Sequence, residues 1–203
     1  MNTKFKFLSG LMLSTLLISM FGCKKEEIKS PALALGEIRC EINGVKHSFN
    51  ISGGNTHHYD DSYAASPSGK VLQMGKVSSS SNPGVFAIDV FKDLDLLTIP
   101  YTNITKASDI QNGGYLDSWL TYTNMSDFSI WSSFNDGSST TLNITSKVGD
   151  VIEGTFSGVI YGTPTIDFSN LFAPPIQDSI IITLGEFMVP IIRESIVNYS
   201  TYP

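Results

Sequence analysis

Residues that avoid water recur at every second position through most of this chain. Ile38, Cys40 and Ile42 alternate with Arg39 and Glu41, and Val45, His47, Phe49 and Ile51 alternate with Lys46, Ser48 and Asn50. A period of two puts each set on one face of an extended strand. Asn43-Gly44 separates the two runs, and both residue types accept the positive φ that a two-residue hairpin turn demands. That turn sets Ile42 opposite Val45, Cys40 opposite His47 and Ile38 opposite Phe49 on the apolar face. The other face then sets Glu41 against Lys46, a cross-strand pair of opposite charge.

The same alternation predicts strands over 71–77, 85–91, 119–123, 128–134, 140–146, 151–161, 179–184 and 187–192. Turn chemistry separates them at Asn82-Pro83-Gly84, Asn112-Gly113-Gly114, Asn135-Asp136-Gly137, Val148-Gly149-Asp150 and Pro174-Pro175. No stretch carries a capped helical stripe, although a short helix near Leu94 or over 104–110 is compatible with the pattern. Two polar, strand-poor stretches, 52–69 and 162–178, read as long loops. The expectation is an all-β protein, an antiparallel β-sandwich or barrel of about nine short strands.

The N-terminus breaks the pattern. Lys4 and Lys6 precede an apolar run from Phe7 to Phe21, followed by Gly22 and Cys23. A basic start, an apolar stretch and a small residue before cleavage predict a secretory signal peptide. The run is short of the roughly 20 residues of a spanning helix. Ile18-Ser19-Met20-Phe21-Gly22-Cys23 resembles a bacterial lipoprotein signal, in which the cysteine becomes the mature N-terminus and carries lipid. The resemblance implies acyl chains such as palmitate on Cys23, and two or three such chains anchor a protein stably. Lys24-Lys25-Glu26-Glu27 looks like the export tag of Bacteroidetes-type surface lipoproteins. It implies an outer-membrane anchor facing the cell surface; a periplasm-facing anchor is the alternative. The expected organisation is a signal peptide over 1–22, a lipidated cysteine and tether over 23–35, and one β-rich domain over 36–203.

Composition then narrows the functional classes. Only 16% of the 203 residues are charged and 11% are aromatic, which excludes a disordered acidic chain. Loss of the leader removes Lys4 and Lys6, leaving 11 cations against 19 acids, a net charge of −8. Such a surface does not suit nucleic acid, whose affinity comes mostly from Lys and Arg. Cys40 is the one cysteine besides Cys23, so the anchored form has no intramolecular disulfide.

Three features together resemble small uncharacterised envelope lipoproteins of the Bacteroidetes type. They are the leader with its tag, the hairpin Glu41-Ile42-Asn43-Gly44-Val45, and a closing pair of segments. That pair is Ile152-Glu153-Gly154-Thr155-Phe156-Ser157-Gly158 and Ile181-Ile182-Thr183-Leu184-Gly185-Glu186-Phe187. Leu184 stands where the family often has Asn or Asp. The resemblance covers both ends of the mature domain, leaves roughly 53–139 unmatched, and implies a β-rich envelope protein without assigning catalytic residues.

Four sets of residues are candidates for chemistry. His57, His58, Asp60 and Asp61 are metal-ligand types, but adjacent residues of an extended chain face opposite ways, and a hydrated loop is the simpler reading. His47 falls on the apolar face of the hairpin beside Cys40, where a thiol is inert. Asp89, Asp93 and Asp95 are the carboxylates a glycan hydrolase would need, against a plain role as solubilising charge. Gly154-Thr155-Phe156-Ser157-Gly158 is not a nucleophile elbow, because it lies on a strand. Trp119, Tyr122 and Trp131, within an aromatic and Ser/Thr-rich stretch, suit sugar stacking; burial in the core is the competing reading. No phosphate loop or other cofactor motif is present. The leading expectation is a lipid-anchored binding or structural component of the envelope rather than an enzyme. Its partners would be the membrane, through its lipid, and a glycan or another envelope protein. A surface glycan-binding lipoprotein and a carboxylate-based hydrolase are the alternatives.

Overall fold

A computed structural model describes residues 32–51, 58–60, 70–78, 83–111, 117–164 and 176–193. In chain order the elements are β1 (Glu37–Ile42), β2 (Val45–Ile51), β3 (His58–Asp60), β4 (Val71–Ser78), β5 (Gly84–Val90), β6 (Tyr101–Lys106) and α1 (Ala107–Gln111). They continue with β7 (Ser118–Asn124), β8 (Ile130–Ser132), β9 (Ser139–Val148), β10 (Val151–Gly162), β11 (Ser179–Pro190) and β12 (Ile192–Arg193).

The first hairpin forms in the expected register. Ile38 pairs with Phe49, Cys40 with His47, Glu41 with Lys46 and Ile42 with Val45. Asn43 and Gly44 take φ of 52° and 79°, the left-handed pair that matches the twist of the flanking strands. The Asn43 side-chain oxygen accepts a hydrogen bond from the Ile181 amide at 2.8 Å, so the turn is also tied to β11.

The protein is a closed antiparallel barrel of eight strands with further strands attached. The ring runs β11-β1-β2-β4-β5-β7-β8-β10 and closes where β10 pairs with β11. β10 is shared along its other edge: β9 takes Val151 to Val159, and β8 takes Tyr161 and Gly162. β6 lies beyond β9. β3 lies along β4, and β12 runs parallel to β3.

Alternation places one face of each strand inside the ring. Eight strands enclose a space that side chains just fill, and here Phe49, Phe86, Phe156 and Phe187 stack across it. Successive rings lie 5.4, 5.0 and 6.5 Å apart. Ile38, Leu72, Met74, Ile88, Leu120, Ile152 and Ile160 are fully buried around them. Leu94, from the β5–β6 connection, joins the same core. Lys76 also points inward on β4, and burial lowers the pKa of its ammonium.

Several expectations change. Residues 101–106 form strand β6, and only Ala107–Gln111 is helical. Residues 179–184 and 187–192 are not two strands but the single β11 followed by the short β12. The chain does not break at Leu184 because a bulge absorbs it: Arg39 and Glu41 on β1 oppose Glu186 and Thr183, one extra residue on β11. The 128–134 strand shrinks to β8, and β3 lies inside the stretch read as a loop.

Candidate functional site

The outer face of β4, β5 and β7 brings together residues far apart in sequence. Gln73 pairs with Asp89, and Asp89 pairs with Trp119. All three take outward positions, which alternate along these strands with residues that face the core. Directly opposed side chains of such a row have Cβ atoms about 5 Å apart. One step along, Gly75, Ala87 and Thr121 make a lower row on the same face.

The Trp119 indole is fixed from below. Its Nε1 donates a hydrogen bond to Ser132 Oγ, and the same oxygen accepts from the Phe134 amide at 3.2 Å. The Trp119 and Phe134 ring centroids are 5.9 Å apart, and Phe134 is 52% exposed. The turn that carries Phe134 is held at several points. The Ser133 amide donates to the Leu120 carbonyl at 2.9 Å, and Ser133 Oγ accepts from the Leu120 amide at 3.0 Å. Asn135 Nδ2 donates to the Tyr161 carbonyl at 2.7 Å, and Ser138 Oγ donates to the Ser132 carbonyl at 2.9 Å.

Asp89 sits half-buried between Gln73 and Trp119. Burial raises its carboxyl pKa to about 6. Among the described residues no hydrogen bond or ion pair reaches that carboxyl.

The other aromatic candidates lie elsewhere. Tyr122 is 5% and Trp131 8% exposed, and both belong to the core. Their rings stack at 5.7 Å and Tyr122 stands edge-on to His47 and Phe49. The three expected platform residues therefore do not share a surface; of them, Trp119 alone takes an outward position. The reason is strand parity: Tyr122 is three positions from Trp119 on β7, so the two face opposite ways. Trp131 Nε1 is buried with no hydrogen-bond partner among the described residues.

The acids divide in the same way. Asp93 pairs with Lys70 at 2.9 Å. Asp95 takes Arg193 at 2.7 Å and Lys147 at 3.1 Å. Arg193 also reaches Asp150 at 3.4 Å. Hydrogen bonds from Arg193 and then Lys147 hold the Asp95 carboxyl far below the usual carboxylate range. The pairs of Asp93 and Asp95 fasten the β5–β6 connection to the start of β4, to β9 and to β12. Asp89 is apart from them on the barrel wall.

His58 and Asp60 lie on β3, paired with Gln73 and Val71; His57 and Asp61 lie outside the described residues. No group of metal-ligating side chains is present among the described residues. His47 is half-buried and stacks on Phe49 at 5.9 Å, and burial lowers its pKa. Cys40 is buried and free, its thiol pushed up to about 12 mainly by burial. Cys23 and Lys24, Lys25, Glu26 and Glu27 lie outside the described residues.

Gln73, and the partnership of Phe134 with Trp119, were not foreseen from sequence. Alternation alone puts Asp89 outward, but which strands flank β5 is a long-range fact. No protein-family model, curated protein or solved structure matches the chain.

Proposed function

We propose that the chain is a lipid-anchored envelope protein whose barrel binds a ligand or partner through its outer surface and catalyses no reaction. The observation that carries the anchor is the leader: Lys4 and Lys6, the apolar run to Phe21, then Gly22-Cys23 and a charged tag. Two structural features favour binding over catalysis. The barrel interior is packed with fully buried side chains, which leaves its outside as the working surface. Asp93 and Asp95, the adjacent acids that would serve hydrolysis, are committed to Lys70, Lys147 and Arg193. An acid held ionised by an Arg and a Lys is a poor proton donor.

Metabolic labelling with palmitate tests the anchor. Label is expected on the wild-type chain and absent from Cys23→Ala, which should leave the membrane fraction. Label surviving in Cys23→Ala would overturn the assignment. Protease shaving of intact cells separates the two orientations: a surface-facing barrel is lost from intact cells, and a periplasm-facing one is lost only after the outer membrane is opened.

A further inference from the structure

The row Gln73–Asp89–Trp119 and the ring of Phe134 lie outside the barrel's buried core. The fold nevertheless holds a half-buried carboxyl there, with no partner among the described residues, at a cost that such groups normally avoid by pairing. We propose that Trp119, Phe134, Asp89 and Gln73 form a binding subsite for a neutral pyranoside unit of a glycan. The proposal rests on reading the barrel as a non-catalytic binding component and names its ligand class.

The row runs aromatic, acid, amide. A pyranoside presents an apolar C–H face and a rim of hydroxyls. The face stacks on the indole, and the hydroxyls donate to the carboxylate, a strong acceptor. The Gln73 amide both donates and accepts, so it suits hydroxyls, which do both. A cationic ligand would use the rings and the acid and leave the amide idle. Gly75, Ala87 and Thr121, the next row on the same face, carry small side chains beside the rings. Trp119 and Phe134 share Ser132 Oγ as an acceptor, so the platform is ordered before a ligand arrives, and binding does not have to offset that ordering.

The chain contains two tryptophans, and Trp131 is buried, so collisional quenching of tryptophan emission by acrylamide reports on Trp119. The measurement uses the full chain in a sugar-free detergent. The probes are methyl gluco-, galacto- and mannopyranosides, neutral oligosaccharides of those units, and tetramethylammonium. At least one sugar series is expected to protect the emission, and Trp131→Phe should keep the protection. Asp89→Asn and Phe134→Ala should each weaken it about tenfold. Circular dichroism and a cooperative melt show that both variants are folded. Protection by none of the sugars, undiminished protection in Asp89→Asn, or tighter protection by tetramethylammonium than by any sugar would overturn the proposal. The result does not depend on the anchor, because a chain that takes no palmitate can be titrated in the same way.

Discussion

Leu184 takes φ of 50° at the point where β11 carries one residue more than its neighbours. A branched side chain in the left-handed region costs about 1–2 kcal/mol, which Asn or Gly largely avoids. The side chain is 71% exposed, so little burial is lost on replacing it. Leu184→Asn is expected to stabilise the protein by about 1 kcal/mol in urea unfolding with an unchanged slope. Asp89 gives a pH dependence. Burial raises its carboxyl to about 6, so the folded state holds the proton more tightly than the unfolded chain. The stability this lends is complete below the ordinary carboxylate range and is lost as pH rises through about 6. Asp89→Asn should therefore match wild type near pH 4 and exceed it at pH 7. Solvent reaching a half-buried group limits the gain to about 1–2 kcal/mol. Denaturant midpoints measured across that range check the sign. The same variant serves as the binding test, and its added stability separates lost affinity from unfolding.

Among the elements, β10 is the most constrained. A Cβ on Gly154 would fall against the Asn143 carbonyl and the Phe187 ring. Neither the strand backbone nor a core aromatic can yield cheaply, so Gly154→Ala should cost about 3 kcal/mol, read as a lowered melting temperature. The contact gives a packing reason for a glycine between Glu153 and Thr155. Legibility at this scale followed locality. The first hairpin could be read to the exact pairing, because Asn43-Gly44 fixes turn type and register together. β6 could not, since Tyr101, Thr102, Asn103 and Thr105 show no apolar face of their own; it is a strand because β9 offers a free edge. Strand β8 is three residues long and is defined by its neighbours β7 and β10. Trp119 and Tyr122 could be assigned opposite faces by parity, but which face was the core depended on the ring.

For the whole molecule, alternating strands announced an antiparallel β protein and left sandwich and barrel open. The choice depends on pairings between distant segments: β1 with β11 and β5 with β7. No local pattern encodes these. The candidate site has the same character, for Gln73, Asp89 and Trp119 meet only because β4, β5 and β7 are neighbours. Ring closure predicts the effect of truncation. A chain ending at Asp178 lacks β11, which covers the edges of both β1 and β10. It is expected to lose its cooperative thermal transition and its near-ultraviolet aromatic signal while keeping some strand content.

The pairing of β1 with β11 also sets an order in time. Arg39 and its partner Glu186 are separated by 147 positions. At a ribosome's pace of roughly 5–20 residues per second, the first strand waits on the order of ten seconds for the last to be made. Throughout that interval its outer edge is an open template for any passing strand. A protein built on this seam gains from being kept unfolded until its synthesis is complete.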